Sequence, residues 1–448
     1  MNKPDSKRVF TFESYDFNPK SKEIHFNYRL SGKGEDIAFQ EKLIFPKNLS
    51  WRNAPDKVLH SALESLHIIL GISYWKLYCP KKIVLNTTFL SKEQANFFNR
   101  VYTLGLGEFF YKNKIDFRNL IKFPSSSKLK TKNYQLKTNK SRALLLFGGG
   151  KDSYVSAEIL KKDKKNFDYF TVITGGREVL QNLAPKGTLT IERFLDPKLF
   201  ELNKSGKVYR GHIPVSAILA SIGELAAILY DYRYVIASNE KSANYGNVKY
   251  LGREINHQWS KSIEFEEMMQ NYSHRYITPS VTYFSLLRPL YEIKIVEIFT
   301  RFGKKYFNKF SSCNTNFKIG ERAPKRRWCL NCPKCAFVFT MMAPFISKKK
   351  LIDIFGGNAF NKKNLLNIFK ELLGIRAIKP FECVGTPDEM RLAMSMILIR
   401  EEFKNDFIIK KLGSKIKHPS KKVEKEIMGL SGDHMIPKEF KKAIPIYE

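Results

Sequence analysis

The chain has 448 residues, 43% hydrophobic and 13% aromatic, which is long enough for two or three domains and too apolar for a disordered protein. Seventy-seven Lys and Arg against 43 Asp and Glu leave a net charge of +34, which suits polyanions such as nucleic acid, acidic lipid or nucleotide substrates. Six cysteines are too few for a disulfide scaffold, which excludes the small secreted, disulfide-held class.

The start, MNKPDSKRVF, has no apolar signal core, and no apolar run reaches the roughly 18 residues of a membrane span, so a cytoplasmic protein is expected. The longest run, AILASIGELAAILY, carries Glu224 in its middle and reads as a buried helix. From Arg8 to Pro46 apolar residues alternate. EIHFNYRL puts Ile24, Phe26, Tyr28 and Leu30 on one strand face, and IAFQEKLIF offers a hairpin partner. Two helices follow, one in DKVLHSALESLHIILGISYWKLY and one opened by the capping-box pair Ser91 and Gln94. PSSSKLKTKNYQLKTNKS has the composition of a polar linker. The expected organisation is an N-terminal α+β domain over 1–123, a linker over 124–141, a catalytic domain over 142–346 and a helical region with a basic end over 347–448.

Beyond the linker strands and helices alternate: Ala143–Phe147, a helix from about Asp152, DYFTVIT, TLTIERFL, a helix around Ile218–Leu229, then YVIAS. Short apolar strands between helices predict a parallel sheet covered on both faces, with ligands beyond the carboxyl ends of its strands. LLLFGGGKDS and YVIASNEKSANYGN both leave a strand at that edge.

Three nucleotide motifs compete for the glycines. A Walker A loop would need Gly where Leu145 stands, and Asp152 follows its lysine. A dinucleotide fingerprint would need Gly at Ser153. GGGKDS is similar to the phosphate loop of the N-type ATP pyrophosphatases, Ser-Gly-Gly-x-Asp-Ser, at every fixed position but the first, where Gly148 replaces Ser. Glycines let backbone N–H groups turn toward an anion, and the helix that follows points its positive end at the same place. ATP is the expected ligand; a plain tight turn is the bland alternative.

RWCLNCPKC supplies Cys329, Cys332 and Cys335, and SSCN supplies Cys313. Cys-x-x-Cys spacing suits tetrahedral zinc, and an iron–sulfur run would want a further Cys near Phe339. A structural zinc site on the four is expected, while Cys79 and Cys383 read as packing cysteines. The stretches SNEKSANYGN and GREINHQWSKS are rich in hydrogen-bonding side chains. A helical second stretch would put Glu254, His257 and Lys261 on one face, either an acid–base and anion-binding face or a solvated one. GHIPVSA (His212) and SLLRPLYE (Arg288, Glu292) are suggestive in the same way.

HIILGISYWK, GLGEFFYKN, FGGGKDS, LFELN, GHIPVSA, SNEKSANYGN, NHQWSKS, LLRPL, RWCLNCPKCAFVF and KPFECVG occur in this order, from about Leu66 to Gly385. Together they resemble the UDP-N-acetylmuramoyl-L-alanyl-L-glutamate epimerases of peptidoglycan synthesis. The resemblance implies an α/β fold with a doubly wound parallel sheet of the adenine-nucleotide α-hydrolase (ATP pyrophosphatase) type. It implies an ATP-consuming inversion of the terminal L-Glu of UDP-MurNAc-L-Ala-L-Glu through an acyl-adenylate, releasing AMP and pyrophosphate. Gly148, Gly149, Gly150, Lys151, Asp152 and Ser153 would then hold ATP with magnesium. His257, Lys261, Glu240 and Lys241 are the candidates for moving the proton. A deazaguanine-synthase-like enzyme and a tRNA-modifying enzyme share this loop and stay open as rivals, and the charge keeps nucleic acid open as a partner.

Overall fold

A computed structural model describes residues 7–32, 34–126, 135–138, 141–175, 183–317, 326–376, 378–430 and 432–443. Most of the expected linker, residues 127–134 and 139–140, therefore lies outside the described residues.

The N-terminal alternation forms three antiparallel strands, β1 (Val9–Asn18), β2 (Glu23–Gly32) and β3 (Glu35–Ile44). Ile24, Phe26, Tyr28 and Leu30 are fully buried on one face, as the period of two requires. The helix Asp56–Trp75 packs over them and leads to β4 (Lys82–Leu85), which pairs parallel to β1. Ser91 then caps the helix Lys92–Gly105 in a reciprocal capping box with Gln94.

The second group of strands is β5 (Ala143–Leu146), β6 (Phe167–Thr174), β7 (Leu189–Phe194), β8 (Tyr234–Ala237) and, after the hairpin β9 (Val248–Tyr250) and β10 (Arg253–Ile255), β11 (Thr282–Ser285). Within this group every pairing is parallel. Among the described residues the full sheet has nine strands in the order β11-β8-β5-β6-β7-β3-β2-β1-β4. It is thus mixed and mostly parallel, and the N-terminal strands extend the parallel group through an antiparallel β3–β7 seam. A buried ion pair marks that seam, Arg193 Nε to Glu41 Oε1 at 2.6 Å.

Both faces of the parallel group are covered, which explains its unbroken apolar runs. Leu144, Val235 and Ala237 face one core with the helices Asp56–Trp75 and Val215–Tyr230. Ala143, Leu145, Tyr234 and Ile236 face the other, with the helices Lys151–Lys162, Glu292–Phe302 and Pro333–Met342. From Lys348 the chain is helical, and its lysine-rich end folds back rather than trailing away. Phe403, Ile408, Leu412, Ile427 and Phe440 are buried in the second core. Among the described residues no helix is long and apolar enough to cross a membrane.

Candidate active site

From β5 the chain moves to β6 on one side, while β8 and β11 lie on the other. The crevice beyond the carboxyl ends of β5 and β8 is therefore a topological switch point, where open α/β sheets bind ligands. A cleft of about 390 Å³ lies there, lined by Gly148, Gly150, Asp152, Ser153, Lys261 and Cys383 among others.

The glycine loop builds one wall. Gly149 has φ +71°, and a Cβ there would stand 2.7 Å from Leu183 Cδ1, so both backbone and space require glycine. Gly150 precedes the helix Lys151–Lys162 without any side-chain cap, which leaves the first helical N–H groups for a ligand. Lys151 turns inward: it is wholly buried, pairing with Glu292 and with Asp152. Burial opposes its charge, but Asp152 and Glu292 outweigh burial and raise its pKa. Burial likewise pushes Glu292 up, yet Lys151 and Lys334 hold it at about 2. The Ser153 hydroxyl donates to the Gly150 carbonyl at 2.9 Å, fixing the turn.

The opposite wall departs from the sequence expectation. Residues 252–262 do not form one helix. They run through β10 into a short 3₁₀ turn, Trp259–Lys261, so Glu254, His257 and Lys261 share no helix face. Glu254 instead accepts from the Gly246 amide at 2.8 Å and closes the β9–β10 hairpin. Arg288, read as weakly suggestive, is an internal anchor. Its guanidinium grips Glu266 at 3.0 and 2.8 Å and donates to the carbonyls of Glu240 (2.7 Å) and Lys261 (2.5 Å). Lys261 thereby lines the cleft; burial opposes its charge, and Cys383, Glu240 and Asp152 outweigh burial.

Cys383 is not an ordinary packing cysteine, because it lines the same cleft. Burial would raise its thiol, but Lys261 and a hydrogen bond from His257 pull it down to about 6. His257 is held in turn by Glu108, Nδ1 to Oε2 at 2.5 Å, and by its backbone N–H donating to Asn247 Oδ1 at 2.8 Å. Burial would depress His257, yet the hydrogen bonds to Cys383 and Glu108 raise it to about 9. Glu108, despite its burial, is drawn down to about 2 by His257. The His212 ring lies 4.4 Å from that of His257, tilted by 47°, and is pressed down to about 3 by burial and by that neighbour's charge.

The remaining expected residues lie elsewhere. Glu240 is buried behind the wall, where its carboxylate helps hold the Lys261 charge and its carbonyl accepts from Arg288. Lys241 points away to Glu426 at 3.4 Å and the Tyr291 ring. Glu108 and Cys383 join the site from segments in which no single residue advertised chemistry, and Lys334 joins it from within the cysteine cluster.

At the start of the Pro333–Met342 helix, the sulfurs of Cys313, Cys329, Cys332 and Cys335 lie within 4.8 Å of one another, close enough to hold a metal ion. Zinc–sulfur bonds of ~2.3 Å in a tetrahedron set sulfurs about 3.8 Å apart. Cys329 and Cys335 are 3.6 Å apart, and all four are free thiols. Backbone N–H groups of Asn331 and Cys335 point at sulfurs at 3.3 and 3.4 Å, as a thiolate cluster favours.

Residues 1–286 match the MurL N-terminal domain, and residues 309–427 match the MurL C-terminal domain. Three curated relatives are each named UDP-N-acetyl-alpha-D-muramoyl-L-alanyl-L-glutamate epimerase. The one from Xanthomonas oryzae pv. oryzae is 38% identical over 85% of this chain and 84% of its own. That from a Micromonospora species is 34% identical over 97% of both chains. That from Salinispora tropica is 37% identical over 87% of this chain and 84% of its own.

Proposed function

The chain belongs to the MurL epimerase family, and on that premise we propose that it inverts the terminal L-Glu of UDP-MurNAc-L-Ala-L-Glu to D-Glu, consuming ATP. The observation that carries the ATP half is the shared cleft: an uncapped, glycine-led helix start on one wall and a cationic, titratable cluster on the other.

The chemistry explains why ATP is needed. The α-hydrogen beside a free carboxylate is very weakly acidic, because the carbanion would form next to a negative charge. Transfer of AMP to that carboxylate removes the charge, releases pyrophosphate and leaves an acyl group that can enolise. The Gly148–Ser153 loop, with its helix N–H groups, would hold the phosphates, and magnesium would supply charge neutralisation there. Lys261 offers a cation on the opposite wall of the same cleft, suited to the oxygen that gains charge as the proton leaves. A proton returned to the opposite face inverts the centre, and water then releases AMP. Cys313, Cys329, Cys332 and Cys335 would hold a structural zinc at the start of the Pro333–Met342 helix, where it would brace that helix outside the chemistry. On the same grounds we assign the parallel strand group to the ATP pyrophosphatase type, and a nucleotide-linked substrate supports a cytoplasmic location.

The test is pyrophosphate release with three acceptors: UDP-MurNAc-L-Ala-L-Glu, a deazaguanine carboxylic acid and bulk tRNA. Release with the muropeptide precursor alone is expected. Release dependent on tRNA would shift the assignment to the RNA-modifying rival, for which the +34 charge is suited.

A further inference from the structure

We propose that Cys383 is one of the two proton-transfer groups of the inversion, with His257 and Glu108 as the residues that position and charge it. The proposal rests on the epimerase reading and adds a residue to it. Cys383 lies on a loop that is tied down along its length. Lys334 donates to the Cys383 carbonyl, Gln258 Nε2 to the Val384 carbonyl at 3.0 Å, and Asn247 Nδ2 to the Pro380 carbonyl at 2.8 Å. The Thr386–Glu389 capping box then starts the helix Pro387–Leu398. The thiol is thereby fixed against the cleft that Asp152 and Lys261 also line.

Its partner is equally fixed. With Nδ1 of His257 engaged by Glu108, Nε2 is the nitrogen left to face the thiol. A buried carboxylate that orients an imidazolium beside a thiol favours the thiolate. The charged groups facing Cys383 are Lys261 and His257 from the turn after β10, Lys334 from its helix, and Lys379 and Glu382 from its own loop. Positive charge dominates that ring, so the thiolate is present at neutral pH. Among the described residues, two buried acceptors in these same segments, Oε1 of Gln258 and Oε1 of Glu240, have no hydrogen-bond partner.

In the step itself, the Cα–H bond of the activated glutamyl group breaks and an S–H bond forms. The electron pair passes to the acyl oxygen. That pair returns to Cα as the second group delivers a proton to its opposite face, and as product leaves the thiol releases its proton to water and the second group regains one from water. No oxidant or further reactant is required.

The experiment compares wild type with Cys383→Ala and Cys383→Ser for pyrophosphate release and for solvent deuterium entering the glutamyl α-carbon. General acid–base groups contribute about 10²- to 10⁴-fold. Both variants are expected to retain pyrophosphate release within about threefold and to lose deuterium entry and inversion by at least about 100-fold. Inversion by Cys383→Ala near the wild-type rate would overturn the proposal, as would equal loss of both readouts. A wild type that forms no D-product would instead refute the underlying function. Alkylation of wild-type Cys383 by iodoacetamide, read by mass spectrometry, gives an independent measure that needs no variant to fold. Its rate should rise through about pH 6 and be blocked by substrate with ATP, and Glu108→Gln should move the profile to higher pH. A wild-type profile centred near the ordinary thiol value, or a glutamyl adduct on Cys383, would contradict a proton-transfer thiolate.

Discussion

Arg288 and Glu266 are a charged pair with each side chain about 1% exposed, and they hold the main chain at Glu240 and Lys261. Removing one partner of a buried pair leaves the other uncompensated, at a cost of about 3–5 kcal/mol. Arg288→Met should therefore lower unfolding stability by that order in denaturant titration. Arg288→Lys should also fail, because a single ammonium cannot satisfy the fork and both carbonyls. Wild-type stability in either variant would remove Arg288 from the account. His257 makes a second claim at this scale. Its pKa is raised to about 9, so its contribution to stability is complete below the ordinary imidazole value and is lost as pH rises through about 9. The gap in melting temperature between wild type and His257→Gln should shrink from pH 7 to pH 9.5. A gap that stays constant would mean that the imidazole carries no charge. These couplings were not legible in the sequence. Glu108 and His257 stand 149 residues apart, and only the topology brings their carboxylate and ring to 2.5 Å. Cys383 sits alone in KPFECVG, so nothing local separates a poised thiol from a packing one.

At the scale of elements, the sequence carried the most where periodicity and punctuation agreed. Ser91 with Gln94, the alternation of Glu23–Gly32 and the strand–glycine–helix passage at Ala143–Lys162 all appear as read. In the stretch 252–262 the helical alternative is not taken, because spacing of polar residues alone fixes no helix without an apolar stripe. Gly252 at φ +80° and the side chains of Asn247 and Asn256 instead hold a hairpin and a turn. The four-cysteine turn bears directly on the active site, because the helix it opens supplies Lys334 to Glu292 at 3.5 Å and to the Cys383 carbonyl. Purified protein should carry about one zinc per chain, and Cys332→Ser or chelation should lower the melting temperature, since metal binding is coupled to folding. Metal analysis giving no zinc, or iron with visible absorbance, would contradict this.

Across the whole molecule, one sheet joins what the composition suggested as separate parts, through the β3–β7 pairing and its buried Arg193–Glu41 pair. A polar stretch reads as a linker whether or not strands pair across it, which is why sequence alone could not supply the seam. The basic end was equally opaque: its lysines read as a tail, while the apolar residues between them fill the second core. The central claim is that this single framework brings a phosphate-binding helix start and a proton-transfer cluster to one substrate. The most direct measurement incubates wild-type protein with UDP-MurNAc-L-Ala-L-Glu, ATP and magnesium in heavy water, then determines the configuration and deuterium content of the glutamyl α-carbon. The account predicts D-Glu bearing deuterium at that carbon, formed only with ATP and matched by AMP and pyrophosphate. Glutamate that stays wholly L, inversion without ATP, or D-product free of deuterium would contradict it.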